Sequence, residues 1–97
     1  MVGAIGHATL IADGQPGLEV LLEEWTRDVR KTYPSSLISY IGHVHDEPNE
    51  IVIIVLLPDE EAFHAYLHQL SEDPWAARFL QHVEGEIDWE QIEVDQV

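Results

Sequence analysis

The chain has 97 residues, 45% of them hydrophobic, and its 19 acidic against 4 basic side chains leave a formal net charge of −15. That length suits one domain, residues 1–97, with enough apolar content for a packed core, while the charge repels DNA, RNA and acidic membrane surfaces. There is no cysteine, which excludes disulfides, thiolate catalysis and cysteine-held metal or iron–sulfur sites.

Residues 4–12 carry no formal charge and read as a strand buried on both faces. Asp13-Gly14-Gln15-Pro16-Gly17 has turn chemistry. From Leu18 the period changes: Leu18, Leu21, Leu22, Trp25 and Val29 follow the stripe of an amphipathic helix. Glu19, Glu23 and Glu24 precede Arg27, Arg30 and Lys31, the order a helix dipole favours, and Tyr33-Pro34 ends the helix. Residues 37–45 predict a second strand, joined through the turn Asp46-Glu47-Pro48-Asn49 to a third over 51–57, so the two form a hairpin. Asp59 caps a second helix with the stripe Phe63, Tyr66, Leu67 and Leu70. Ser71-Glu72-Asp73-Pro74 interrupts it. Asp73 caps a new turn, helix resumes from Trp75 to Val83, and Gly85 ends it. A last strand covers 86–94. Ile87 and Trp89 share one phase, Ile92 and Val94 the other, which predicts a bulge or a strand that leaves its sheet for another surface.

No long apolar stretch follows Met1, and the longest apolar run, Ile51 to Leu57, is too short to cross a bilayer. A cytoplasmic protein with no membrane partner is expected.

The order strand-helix-strand-strand-helix-strand is the split βαβ pattern, an α+β, ferredoxin-like antiparallel sheet with helices on one face. Strands one and three are the most apolar, as central strands should be. Ile51, Ile53, Val55 and Leu57 point to one face of the sheet and Val52, Ile54 and Leu56 to the other. Two helices cover one face only, and a bare apolar face of that extent is rare on monomers. A homodimer closed through the sheet face follows as the expected partner arrangement.

With these features the chain resembles the dimeric α+β barrel superfamily, and most of all the antibiotic biosynthesis monooxygenase family. The resemblance rests on Pro16-Gly17 before helix one, strand Leu37-Ile38-Ser39-Tyr40, the Asp46–Asn49 turn, Asp59-Glu60-Glu61-Ala62-Phe63, and Asp73-Pro74-Trp75-Ala76-Ala77-Arg78-Phe79. It implies a dimeric barrel and a cofactor-independent oxygenase acting on a small aromatic or quinol. Leu57 stands where the family commonly has a tryptophan, and Tyr66 where it often has a histidine. The one asparagine, Asn49, lies in a hairpin turn, so no asparagine-dependent step carries over.

Six histidines are the most unusual polar feature after the acidic charge. His43 and His45 share a strand face, and His64 and His68 a helix face. Either spacing suits a transition metal, but each pair reads more simply as a polar edge, and no metal site is assigned. His7 interrupts an apolar strand. Facing the helices, it would enter the family's pocket and serve as a base, so His7 and His68 are the catalytic candidates. Tyr66, Trp75, Tyr40 and His43 are the candidates for contact with a planar aromatic substrate. No cofactor is expected. A histidine would take a phenolic proton, and the anion would react with oxygen in a dry pocket. The competing readings are a non-catalytic ligand-binding or structural homodimer and, more weakly, a haem- or metal-binding protein.

Overall fold

Seven regular elements follow the predicted order in the computed structural model, which describes all 97 residues. They are β1 (Val2–Leu10), α1 (Gln15–Glu24), β2 (Ile38–His43), β3 (Glu50–Leu57), α2 (Glu60–Ser71), α3 (Pro74–Leu80) and β4 (Val83–Glu93). The strands form one antiparallel sheet in the order β2-β3-β1-β4, so the two most apolar strands are central. This is the α+β, ferredoxin-like fold.

The β1–β3 register decides which side chains share a face. Val2 pairs with Leu57, Ala4 with Val55 and Ala8 with Ile51; these residues lie beneath the helices and are buried. The opposite phase places Ile5 beside Ile54 and His7 beside Val52 on the other face. His7 is exposed there, so the expectation that it faces the helices is corrected. The reason is strand phase. The large end residues Val2 and Leu10 occupy even positions and go into the core, which sends every odd position of β1 outward.

Local chemistry accounts for the helix boundaries. Asp59 Oδ1 accepts the Ala62 N–H at 2.8 Å and starts α2. Asp73 Oδ1 accepts the Trp75 main-chain N–H at 2.8 Å and, with Pro74 behind it, starts α3. Helix α1 does not simply stop. It widens into a π-helical turn, Trp25–Val29, then tightens into a 3₁₀ turn, Arg30–Thr32, before Tyr33 turns extended ahead of Pro34.

Two expectations at the C-terminal end are corrected. Helix α3 ends at Leu80, and Gly85 belongs to β4. Gly85 has φ +69°, a conformation that glycine adopts without strain, and it sits where the β1–β4 register slips between His7 and Thr9. The phase change between Trp89 and Ile92 is not a bulge. Gly6 pairs with Trp89 and Gly3 with Ile92 in unbroken register, so the two apolar residues simply alternate between faces.

The helix-side core falls into two clusters. One gathers Val2, Tyr33, Leu37, Val55, Leu57, Phe63 and Tyr66, the other Leu10, Leu18, Leu21, Ile51, Phe79 and Val83. Ile53 packs against both from the middle of β3. Its partner on β1 is Gly6, which contributes no side chain. The centre of the sheet is therefore thin between two well-filled ends. On the opposite face Ile5, Val52, Ile54, Leu56 and Ile92 are half-buried, Ile38 and Tyr40 are exposed, and no helix covers them. No helix is long and apolar enough to cross a membrane.

Candidate functional site

Between the two core clusters lies a half-open cavity of about 910 Å³, bordered by the sheet, α1 and its π-helical extension, α2 and α3. Eighteen of its 23 lining residues are hydrophobic, which makes it an apolar space with few polar groups to orient a ligand. On the sheet side its wall comes from β2, β3 and β4, through residues such as Ile41, Ile53, Val55, Ile87 and Trp89, and no β1 residue lines it. Along the helix side β1 reads Val2, Ala4, Gly6, Ala8, Leu10, bulky at the ends and small in the middle. The Trp89 ring lies across Gly6. A Cβ at that position would come within 2.8 Å of the indole and 2.9 Å of an Ile87 methyl, so glycine is what lets the ring lie against the strand.

Aromatic rings form much of the wall. Trp25 and Trp75 meet with centroids 4.8 Å apart, and Trp75 stacks on Phe79 at 5.5 Å. Behind them Tyr33 touches Trp25 at 5.2 Å and Tyr66 at 5.7 Å. The Trp75 indole N–H donates to the Leu21 carbonyl at 2.8 Å, which holds its plane. In the π-helical turn the Arg30 N–H reaches back to the Trp25 carbonyl, and Trp25, Thr26 and Arg30 all border the cavity. Wider turns of this kind often occur at functional sites.

Among the lining residues Asp73 is the one carboxylate and Arg30 the one cation. Asp73 Oδ2 accepts the Tyr33 hydroxyl at 2.6 Å, while Oδ1 accepts the Trp75 N–H. Burial, the hydrogen bond to Asp73 and its negative charge all push the Tyr33 hydroxyl far above the usual tyrosine range. Burial and, secondarily, the charge of Asp73 push Tyr66 up to about 12. Both phenols therefore stay protonated at neutral pH. The Tyr66 hydroxyl has no hydrogen-bond partner in the chain, yet no buried polar side-chain atom lacks a partner, so this hydroxyl opens onto the cavity. Arg30 is held by main-chain carbonyls, donating from Nη1 to Pro34 at 3.1 Å and from Nη2 to Leu37 at 2.5 Å.

Two of the residues expected from the sequence, Tyr66 and Trp75, line this cavity. Tyr40 borders it from edge strand β2, but its register partner Ile54 belongs to the open face, and Tyr40 is 67% exposed. The histidines go elsewhere. His7 is on the open face. His43, at the end of β2, is exposed and does not line this cavity. His68 lies on the outer side of α2, 78% exposed and 3.6 Å from Glu72. No three His, Asp or Glu side chains gather as a metal-ligating cluster. Trp25 and Trp89, which the sequence ranks behind Tyr66 and Trp75 among the aromatics, also line it, and the sequence reading missed Asp73 and Arg30. Asp73 was visible only as a cap.

No family model matches the sequence, and no curated protein matches it. Solved structures do. A candidate antibiotic biosynthesis monooxygenase from Deinococcus radiodurans matches with TM-score 0.71 at 18% identity, over 100% of this chain and 95% of that one. One from Caulobacter crescentus matches with TM-score 0.75 at 10% identity, over 98% and 90%. Rv0793 from Mycobacterium tuberculosis matches with TM-score 0.69 at 12% identity, over 98% and 96%. The chain shares their fold. At these identities the likeness is one of architecture, and the monooxygenase-like fold is matched along essentially its full length. Function rests on the cavity's own residues.

Proposed function

We propose that the chain is a cofactor-independent, monooxygenase-like protein that takes a small planar aromatic, a quinol or related phenol, into the helix-side cavity. The single observation that carries this reading is the apolar cavity itself, walled by Trp25, Trp75, Trp89 and Tyr66 with Asp73 as its one carboxylate. Flat rings suit stacking on the indoles. A ring hydroxyl donates to Asp73, which takes the proton as electrons leave the ring. The histidine base expected from the sequence has no counterpart here, because no histidine lines the cavity. The Tyr66 hydroxyl, protonated up to about pH 12, is a donor for the oxygen anion that develops. The reaction balances on the substrate alone. One atom of dioxygen is inserted at a ring C–H to give the hydroxyquinone, and the other leaves as water with two of the substrate's hydrogens, the proton held by Asp73 among them. The fold shared with the named monooxygenases supports the reading.

Oxygen uptake with a panel of quinols tests it. Uptake that falls in Asp73→Asn and Trp75→Leu is expected. Saturable quinol binding without uptake leaves a non-catalytic ligand-binding protein, and no quinol binding overturns the reading.

We further propose that a second copy covers the open face. The bare Ile5, Val52, Ile54 and Leu56 favour it, since burial of such a patch is the strongest driving force for association. Light scattering should return twice the chain mass, and Ile54→Asp should return the mass of one chain. A wild-type monomer at micromolar concentration contradicts the proposal.

A further inference from the structure

Asp73 stands where the apolar cavity meets a smaller polar cleft lined by Asp28, Gln69 and Glu72, and no cation pairs with it. Its contacts are both neutral donors, the Tyr33 hydroxyl and the Trp75 N–H, and it takes part in no ion pair. Arg30 borders the same cavity, but its guanidinium is turned to the carbonyls of Pro34 and Leu37 at the end of the α1 extension. An ionised carboxylate offers about four acceptor positions, and the chain itself uses two of them. Around it stand the rings of Trp25, Trp75 and Tyr66, whose π-faces carry negative charge density and attract cations at about 6 Å. The field of the whole chain, with 19 acidic and 4 basic residues, adds to the same sign.

We propose that the ligand of this cavity is an aromatic carrying a protonated amine, with the ammonium seated on Asp73 among the rings of Trp25, Trp75 and Tyr66. The ammonium takes a further acceptor position of Asp73 and leaves another for a ring hydroxyl. Three features then act together: a charge-assisted hydrogen bond, which is roughly twice as strong as a neutral one, contact with the indole faces, and an apolar space for the ring. Anionic aromatics such as aryl carboxylates meet Asp73 and the protein's overall charge, and are disfavoured. The inference rests on the cavity being the ligand site. It names the substrate class for the proposed reaction, and its test does not require turnover.

The test is calorimetric or tryptophan-fluorescence titration of the full chain with three probes of one shape: phenethylamine, phenethyl alcohol and hydrocinnamate. Titration in about 1 M NaCl, where charges are screened beyond about 3 Å, removes attraction by the surface at large. The amine should bind about tenfold tighter than the alcohol or more, and the acid weakest. Asp73→Asn keeps an oxygen for the Trp75 N–H and the Tyr33 hydroxyl, and it should bring amine and alcohol level. Glu90→Gln, on the open face, should leave the preference intact. Equal affinity for amine and alcohol in the wild type overturns the inference, as does tightest binding of the acid or a preference that survives in Asp73→Asn. Should that variant not fold, the wild-type ratio of amine to alcohol decides alone. If none of the three probes binds, the inference falls, and quinol binding decides the cavity reading separately. If the amine preference holds while quinols give no oxygen uptake, the inference stands and only the oxygen step is lost.

Discussion

Leu56 and Leu57 are neighbours in the chain and in the same central strand, yet they live on different sides of the molecule. Leu57 is fully buried among Val2, Tyr33, Val55 and Phe63, whereas Leu56 is only half-buried beside Ile38 on a face that no helix reaches. The helix face is packed at both ends around an apolar cavity, and β4 lays Trp89 across Gly6. The open face is flat, apolar along β3, and bordered by the acidic Asp88 and Glu90 of β4. One face is shaped to enclose something small, the other to meet something large. The sheet's alternation places both faces on the same four strands.

The largest expected effect separates the two leucines directly. Leu57→Ala should cost about 3 kcal/mol of folding stability, within the usual range for a buried leucine. Leu56→Ala should cost about 1 kcal/mol in an isolated copy, since its site is already partly wet. Urea unfolding at protein concentrations that keep the chain monomeric measures both. Equal costs would break the comparison.

Next comes the hollow. Gly6→Ala should cost about 2 kcal/mol, because its methyl meets the Trp89 ring and an Ile87 methyl. It should also shift tryptophan emission as the indole lifts from the strand. An unchanged spectrum would mean that Trp89 does not rest on Gly6.

Alkaline pH probes the protons on that side. The Tyr66 hydroxyl is raised from 10.0 to about 12 by burial and by Asp73, and Tyr33 is raised still further. Between pH 10 and about 12 the native chain therefore holds protons that the unfolded chain releases, so stability should fall as pH rises through that window. It should be fully present below pH 10. Melting temperature against pH measures the fall, and Tyr66→Phe should flatten part of it. The smallest expected effect is local to a helix start. Asp59→Ala should cost about 1 kcal/mol through loss of the Ala62 cap, while leaving the quinol affinity of the cavity unchanged.

Much of this architecture was legible in the sequence. The alternation of Ile51 to Leu57 foretold a strand with two apolar faces, and Asp73-Pro74 foretold the break between α2 and α3. The site was legible only in part. Tyr66 and Trp75 line the cavity, but the histidines do not; His7 escaped the reading because residues 4–12 read as buried on both faces and such a strand carries no phase of its own. Only its pairing with β3 puts His7 outside. Trp89 and Ile92 looked like a change of phase for a related reason: one apolar residue points to each face, and a single sequence does not say that both faces want apolar residues. Asp73 was hidden by its capping role, which explains the residue locally. Its second partner, Tyr33, lies 40 positions away and is brought to it only by the fold.

If the cavity is the ligand site, the helix side binds a small aromatic and the open side does not. Nuclear magnetic resonance of the labelled chain titrated with hydroquinone tests it most directly. All three tryptophans, Trp25, Trp75 and Trp89, line the cavity. The prediction is that all three indole N–H signals move together and saturate, while the amides of His7, Val52 and Ile54 stay in place. Shifts confined to those open-face amides, with the indole signals unmoved, would contradict it.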